Sequence, residues 1–326
     1  MNEFELIKKL TKNLPQKKDD LVLGVGDDCA VFKDKKSDNA WLISSDVLIE
    51  NIHFKREFTN FKNLGRKALN VNLSDVNAMG GRSKFFLVSI AIPSDLCEDE
   101  VLDIYVGMNE VASKEGVILI GGDTTSSEKD LVISITILGD AAKNEIVYRS
   151  GAKEDDLICV TNILGSSALG LELLRRGVEE EGGHIENHIN PKPPLDIGPL
   201  LAKSGIATSM LDISDGLLGD LGHICDRSGV GARIYWDKIP LKDGFVDICD
   251  SYHLNPMDLA LAGGEDYELL FTVSKEKEGD LNKLIESNQL CATIIGLIVN
   301  KDNGIRVFGK DNKEIVVAQR GYEHLK

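Results

Sequence analysis

The chain has 326 residues, 42% of them hydrophobic, and its 37 basic and 53 acidic side chains give a formal charge of −16. That length and apolar content are enough for two hydrophobic cores. The acidic balance argues against a nucleic-acid or anionic-membrane surface, since either needs a basic face, and no apolar run approaches the roughly 20 residues that span a bilayer.

Residues 1–14 read as a lysine-bearing amphipathic helix rather than a signal peptide, so a cytoplasmic protein is expected. Short β-rich runs follow at 21–25, 41–44, 85–92, 117–120 and 131–138, with helical apolar spacing at 63–78 and 98–114. The polar, glycine-containing stretch 148–153 separates two apolar runs and predicts a domain boundary, giving domains 1–149 and 150–326. Beyond it the mixture repeats: strands at 157–161, 208–213, 231–236, 268–273 and 293–298, helices at 166–176, 216–226 and 275–287. The fold class is therefore α/β with mixed sheets.

Six acidic segments interrupt this pattern in apolar or glycine-rich surroundings: Gly24-Val25-Gly26-Asp27-Asp28, Ser44-Ser45-Asp46, Asn72-Leu73-Ser74-Asp75, Gly121-Gly122-Asp123-Thr124, Asp212-Ile213-Ser214-Asp215-Gly216 and Gly263-Gly264-Glu265-Asp266. One such segment is ordinarily a turn or a helix cap. Six of them, four from the first half and two from the second, predict a cleft between domains that holds hard cations on oxygen ligands, and through Mg²⁺ a polyphosphate. The loops carrying Asp46 and Asp123 offer those carboxylates no evident structural partner.

Other phosphate sites are excluded. Gly24-x-Gly26 follows a strand, but Cys29 stands where the dinucleotide fingerprint needs its third glycine, and no G-x-x-x-x-G-K-[ST] occurs. Arg149, at the expected hinge, is the side chain best placed to grip a phosphate. Asp75 falls at the end of a helix, where an acid opposes the helix dipole. Asp215 would be a natural N-cap, whereas Asp212, on a strand, has no capping role. His53 among apolar neighbours is a substrate contact or a buried structural residue. His184 and His188 lie in a Gly/Asn/Pro-rich stretch expected to be a loop, which argues against a shared metal. The six cysteines are scattered and read as reduced thiols.

Taken in order, these motifs, with Ala78-Met79-Gly80, Arg149-Ser150-Gly151-Ala152-Lys153, Gly263-Gly264-Glu265-Asp266-Tyr267-Glu268-Leu269 and Gly321-Tyr322-Glu323-His324, closely resemble the thiamine-monophosphate kinase family. The G-G-D-T element is shared with the wider aminoimidazole-ribonucleotide and selenophosphate synthetase superfamily; the combination with G-G-E-D-Y-E-L is not. The resemblance implies a two-domain α/β protein of the aminoimidazole-ribonucleotide synthetase-like fold, a homodimer through its N-terminal domains, that phosphorylates thiamine phosphate with ATP. By motif position, Asp28, Ser44, Ser45, Asp46, Asp75, Asp123, Asp212 and Asp215 would hold several Mg²⁺ ions. Tyr105, Gly122, Asp123, Arg149 and Ser214 would contact ATP; His53, Glu265 and Tyr322 would contact thiamine phosphate. No side chain is implied as a covalent catalyst. The chain departs from the family pattern at Glu154-Asp155, which replaces Pro-Gly, at Asn162, which replaces glycine, and at Asn190 and Pro194 in the 184–194 loop.

Two other readings compete. A superfamily synthetase would carry a catalytic Cys or Lys near its N-terminus or a glycine-rich N-terminal loop, and residues 1–20 hold neither cysteine nor glycine. A non-catalytic cation-binding module would take up metal without ATP turnover.

Overall fold

The computed structural model describes residues 3–15, 18–179, 182–317 and 321–322. The first half runs α1 (Glu3–Thr11), β1 (Leu21–Leu23), β2 (Ala30–Lys33), β3 (Asn39–Ile49), α2 (Phe61–Ala78), β4 (Arg82–Pro93), α3 (Glu98–Glu115), β5 (Ile118–Ser127) and β6 (Val132–Ala142). Its strands form one sheet in the order β1-β2-β3-β6-β4-β5, antiparallel except for the β4–β5 pair. Period-2 alternation along β6 turns Ile133, Ile135 and Ile137 into the core, where they meet Leu64, Leu69 and Leu73 of α2 and Ile104 and Met108 of α3. Asn60 starts α2 by accepting the Asn63 amide at 2.8 Å. Gly65 of α2 and Gly107 of α3 let the two helices touch backbone to backbone. A Cβ at either position would fall 1.9 Å from a carbonyl oxygen of the other helix.

The second half runs β7 (Leu157–Thr161), α4 (Ser166–Arg175), α5 (His184–Ile189), α6 (Ile197–Ser204), β8 (Ala207–Asp212), α7 (Leu217–Ser228), β9 (Gly231–Tyr235), α8 (Phe245–Ser251), α9 (Pro256–Ala262), β10 (Leu269–Val273), α10 (Glu278–Glu286), β11 (Ala292–Val299), β12 (Ile305–Phe308) and β13 (Glu314–Ile315). Its sheet has the order β13-β12-β9-β11-β7-β10-β8, and only the β12–β9 pair is parallel. Strands β7 and β10 are buried along their whole length because both faces are covered. Ile158, Val160 and Leu270 enter one core, and Leu157, Cys159, Leu269 and Phe271 enter the other.

Helix α2 joins the halves. Its Asn70 donates to the Pro191 carbonyl at 2.8 Å, Asn77 Oδ1 accepts the Gly198 amide at 3.0 Å, and Ala78 belongs to a core built mostly from the second sheet.

Several local expectations are corrected. Asp46 and Asp123 lie within strands β3 and β5, not on loops. The 184–189 segment is helical, because burial of His184 and His188 outweighs the loop-like composition around them. Gly216, not Asp215, is the N-cap of α7. Among the expected helical residues 1–14, Met1 and Asn2 lie outside the described residues, and so do Glu323 and His324 of the last motif. The two departures from glycine, Asp155 and Asn162, both adopt positive φ, at 72° and 41°. Aspartate and asparagine are the side chains that tolerate this best. Among the described residues no helix is long and apolar enough to cross a membrane.

Candidate active-site cleft

A cleft of about 800 Å³ lies between the halves. Its floor is acidic. Strand alternation along β3 points Ser44 and Asp46 into it, the last turn of α2 presents Asp75, and the Gly24–Asp28 turn adds Asp27 and Asp28. From the second half, β8 ends at Asp212 and the turn before α7 supplies Ser214 and Asp215. That turn is shaped by Asp220, whose Oδ2 accepts the amides of Ser214, Asp215 and Gly216, each at 3.1 Å.

Carboxylate oxygens of Asp28, Asp75 and Asp212 all lie within 4.8 Å of one another, the one such metal-sized group of His, Cys, Asp and Glu among the described residues. Two serines orient it: Ser44 Oγ donates to Asp75 Oδ2 and Ser74 Oγ to Asp212 Oδ2, both at 2.5 Å. The charges are crowded. Burial pushes Asp212 up to about 7, with Asp28 adding to the effect and Ser74 and Arg149 opposing it. Asp75 is raised well above the usual carboxylate range by burial and then by Asp46, Asp212 and Asp28. Asp46 is raised to about 6 by loss of solvation, then by Asp28 and Asp215.

One arginine enters this cluster. Arg149 Nη2 donates to Asp28 Oδ1 at 2.6 Å, and its backbone amide meets Asp27 Oδ1 and Oδ2 at 3.3 and 3.2 Å. The opposite oxygen, Asp28 Oδ2, is buried without a hydrogen-bond partner among the described residues, as is Arg149 Nε. An all-oxygen donor set with like charges in contact and an orphaned carboxylate oxygen is the chemistry a hard divalent cation fits.

The cleft also has a partly aromatic lining. Phe54 and Phe58 belong to it, with His53, Glu265 and Tyr322. His53 Nδ1 accepts the Ile49 amide at 3.0 Å, which fixes its ring. Glu265 and Tyr267 take φ of 66° and 52°, a conformation held by backbone bonds of 2.8 Å from Glu265 to Ser214 and from Tyr267 to Ile213. The Tyr322 amide donates to Asp215 O at 2.9 Å, which ties the chain's last described residues to the floor.

Four expected site residues do not line this cleft. Ser45 turns its hydroxyl to Ile135 O on the other face of β3. Tyr105 packs at the edge of the first core, and Gly122 and Asp123 lie on the exposed edge strand β5. Conversely, sequence reasoning passed over Asp27, which lines the cleft, and Asp220 and Lys67, which hold residues that line it. Asp27 was signalled by its place in the Gly24–Asp28 motif; Asp220 and Lys67 look like ordinary residues of helix surfaces. His184 and His188 each sit beside a serine: Nδ1 of His184 is 3.2 Å from Ser166 Oγ, and Nδ1 of His188 is 3.1 Å from Ser167 Oγ. All six cysteines are free, and four of them are buried.

Residues 26–141 match the family model for the N-terminal domain of AIR synthase related proteins, and residues 153–308 match the one for their C-terminal domain. The thiamine-monophosphate kinase of Bacillus subtilis (strain 168) is 35% identical over 332 residues, covering 100% of both chains. A solved structure of AaThiL complexed with AMPPCP and TMP superposes with a TM-score of 0.85 at 34% identity, over 99% of this chain and 97% of that one. The thiamine-monophosphate kinase of Stenotrophomonas maltophilia K279a gives 0.77 at 32% identity, over 96% and 98%.

Proposed function

The chain belongs to the thiamine-monophosphate kinase family, and from that premise we propose how its cleft carries out the family reaction, the ATP-dependent phosphorylation of thiamine phosphate to thiamine diphosphate. The observation that carries the reading is the meeting of Asp28, Asp75 and Asp212, from three separate elements and both halves, on the floor of one cleft.

Asp28, Asp75 and Asp212, with Ser44, Asp46 and Asp215 beside them, would hold Mg²⁺. Bound there, the ions would neutralise the facing phosphates of ATP and acceptor and let two anions approach. Ser44 and Ser74 keep Asp75 and Asp212 in place without reorganisation. Arg149, anchored on Asp27 and Asp28, would supply a fixed guanidinium at the ATP phosphates, and Ser214 lines the same cleft. His53, Glu265 and Tyr322 receive the thiamine end of the acceptor.

The acceptor's own phosphate oxygen attacks the γ-phosphorus of ATP. That bond forms as the bond from γ-phosphorus to the β–γ bridging oxygen breaks, and ADP departs with the electron pair. A phosphate monoester has a second pKa of about 6, so the attacking oxygen already carries charge near neutral pH and no protein base is required. His53 fits this division of labour, since its Nδ1 is already taken by the Ile49 amide.

The domain boundary belongs at residues 149/150, supported by the separate sheets on either side. A homodimer is part of the same reading. Strand β5 is a sheet edge ten residues long, with Ile118, Leu119 and Ile120 exposed at 58%, 44% and 52%, an unprotected edge of a kind monomers avoid. A second copy covering β5 would also cover Gly122 and Asp123, which lie on that strand. Use of ATP supports a cytoplasmic setting. The reaction is tested by incubating the protein with ATP, Mg²⁺ and thiamine phosphate and resolving ADP and thiamine diphosphate chromatographically. Metal uptake with no ADP release would favour the cation-binding module instead.

A further inference from the structure

Helix α2 buries a lysine two turns before Asp75. Lys67 is 3% exposed and does not reach the cleft. Its Nζ lies 3.1 Å from Glu265 Oε1, donates to Glu265 Oε2 at 3.1 Å and donates to the His188 carbonyl at 3.2 Å. Three ammonium protons thus face three oxygens. His188 completes the cage, with Nδ1 3.3 Å from Glu265 Oε2 and 3.1 Å from Ser167 Oγ. Burial, reinforced by Lys67, lowers His188 to about 3, so the ring is neutral, and the tautomer with hydrogen on Nδ1 is the one that can donate to a carboxylate.

The arrangement is lopsided in a way a plain interdomain staple is not. The Lys67 side chain is closed off, whereas that of Glu265 keeps 23% of its surface open, toward the cleft. Burial opposes the charge on Glu265, but the Lys67 ammonium outweighs it and holds the carboxyl below its ordinary range, while the neutral His188 ring offers only its Nδ1 hydrogen. The bond to Ser214 O holds the Glu265 backbone in the left-handed region, and Lys67 and His188 hold its carboxylate. The same helix face carries Asp75 eight residues later, about 12 Å along the axis at 1.5 Å per residue.

We infer that Lys67, with His188, is a positioning residue that aims the Glu265 carboxylate at the ring end of the acceptor, and that α2 sets the span between that end and the phosphate end at Asp75. The inference rests on the reading of Glu265 as an acceptor contact. It assigns Lys67 a share in acceptor specificity and none in ATP binding.

The test compares Lys67→Met, Glu265→Gln and the double variant of the full chain, each assayed with either substrate varied against a saturating concentration of the other. Each single variant should raise KM for thiamine phosphate by about tenfold or more while KM for ATP and kcat stay within about twofold. The double variant should be no worse than the poorer single one, because both changes break one unit. If Glu265→Gln leaves the acceptor KM unchanged, the reading beneath the inference fails. If Glu265→Gln raises it and Lys67→Met does not, or raises both KM values alike, Lys67 is structural only and the inference fails alone. Should Lys67→Met not fold, His188→Leu is read by the same criterion: a selective rise in acceptor KM supports the inference, and no rise or a rise for both substrates overturns it.

Discussion

The Ser74 hydroxyl donates to Asp212 Oδ2 at 2.5 Å, from α2 of the first half to β8 of the second. Its neighbour Asp75 is held by Ser44 at the same distance, so adjacent residues of one helix turn fix the geometry of a cluster drawn from both halves. Ser74→Ala removes the donor of a buried carboxylate. We expect a stability loss of roughly 1–2 kcal/mol, a turnover reduced about tenfold and a higher Mg²⁺ requirement. Urea unfolding and initial rates over a Mg²⁺ titration check this. An unchanged metal requirement would contradict it.

Asp75→Asn and Asp212→Asn separate function from stability. In the proposed reading each removes a cation ligand, and turnover should then fall at least about a hundredfold. Each also relieves repulsion among crowded carboxylates, so the unfolding midpoint in EDTA should not fall. Near-normal turnover in either variant would remove that residue from the metal site.

Glu268 predicts a pH dependence outside the carboxylate floor. Burial pushes it from an ordinary 4.5 up to about 7, against hydrogen bonds from the Thr161 hydroxyl and the Asn162 amide. Between those values the folded protein binds more protons than the unfolded chain, so this group's contribution to stability is lost as pH rises from about 4.5 to about 7. Glu268→Gln removes the titration. The stability of the variant relative to the parent should therefore rise between pH 5 and pH 8, by up to roughly 3 kcal/mol. Urea unfolding at the two pH values measures it, and a difference that shrinks with pH would contradict the assignment.

The edge strand tests the dimer. Ile120→Lys places a charge on β5 beside Gly121, Gly122 and Asp123. Light scattering should report a monomer for the variant and a dimer for the parent, with most of the activity lost. A dimer that survives the change would move the interface elsewhere.

The acidic floor was legible because strand ends and glycine-rich turns are local signals, and Asp28, Asp46, Asp75, Asp212 and Asp215 stand next to them. Whether Asp46 lies on a loop or a strand was not legible. β3 extends to Ile49 through its pairing with β6, almost 90 residues later in the chain at Asp46↔Ile135. The helix at His184 was hidden for a related reason, since Ser166, Ser167 and Phe245, which surround its histidines, are distant in sequence or on other elements. The start of α7 misled because the carboxylate that organises the turn before it sits inside the helix, at Asp220, which takes the Ser214, Asp215 and Gly216 amides and leaves the Asp215 side chain to the floor. Lys67 gave no signal at all. On a helical projection it is one more lysine, and only the approach of Glu265, almost 200 residues on, makes it a buried ion pair.

The central claim is that acceptor and ATP phosphates meet on the carboxylate floor, which gives the acceptor's own phosphate a role in its positioning. Phosphoryl transfer from γ-labelled ATP to thiamine phosphate and to thiamine, at equal concentrations and saturating Mg²⁺, tests it directly. Label should appear in thiamine diphosphate far faster than in thiamine phosphate, because free thiamine offers only a neutral hydroxyl of high pKa and no group for the floor to hold. Equal rates for the two acceptors would contradict the account.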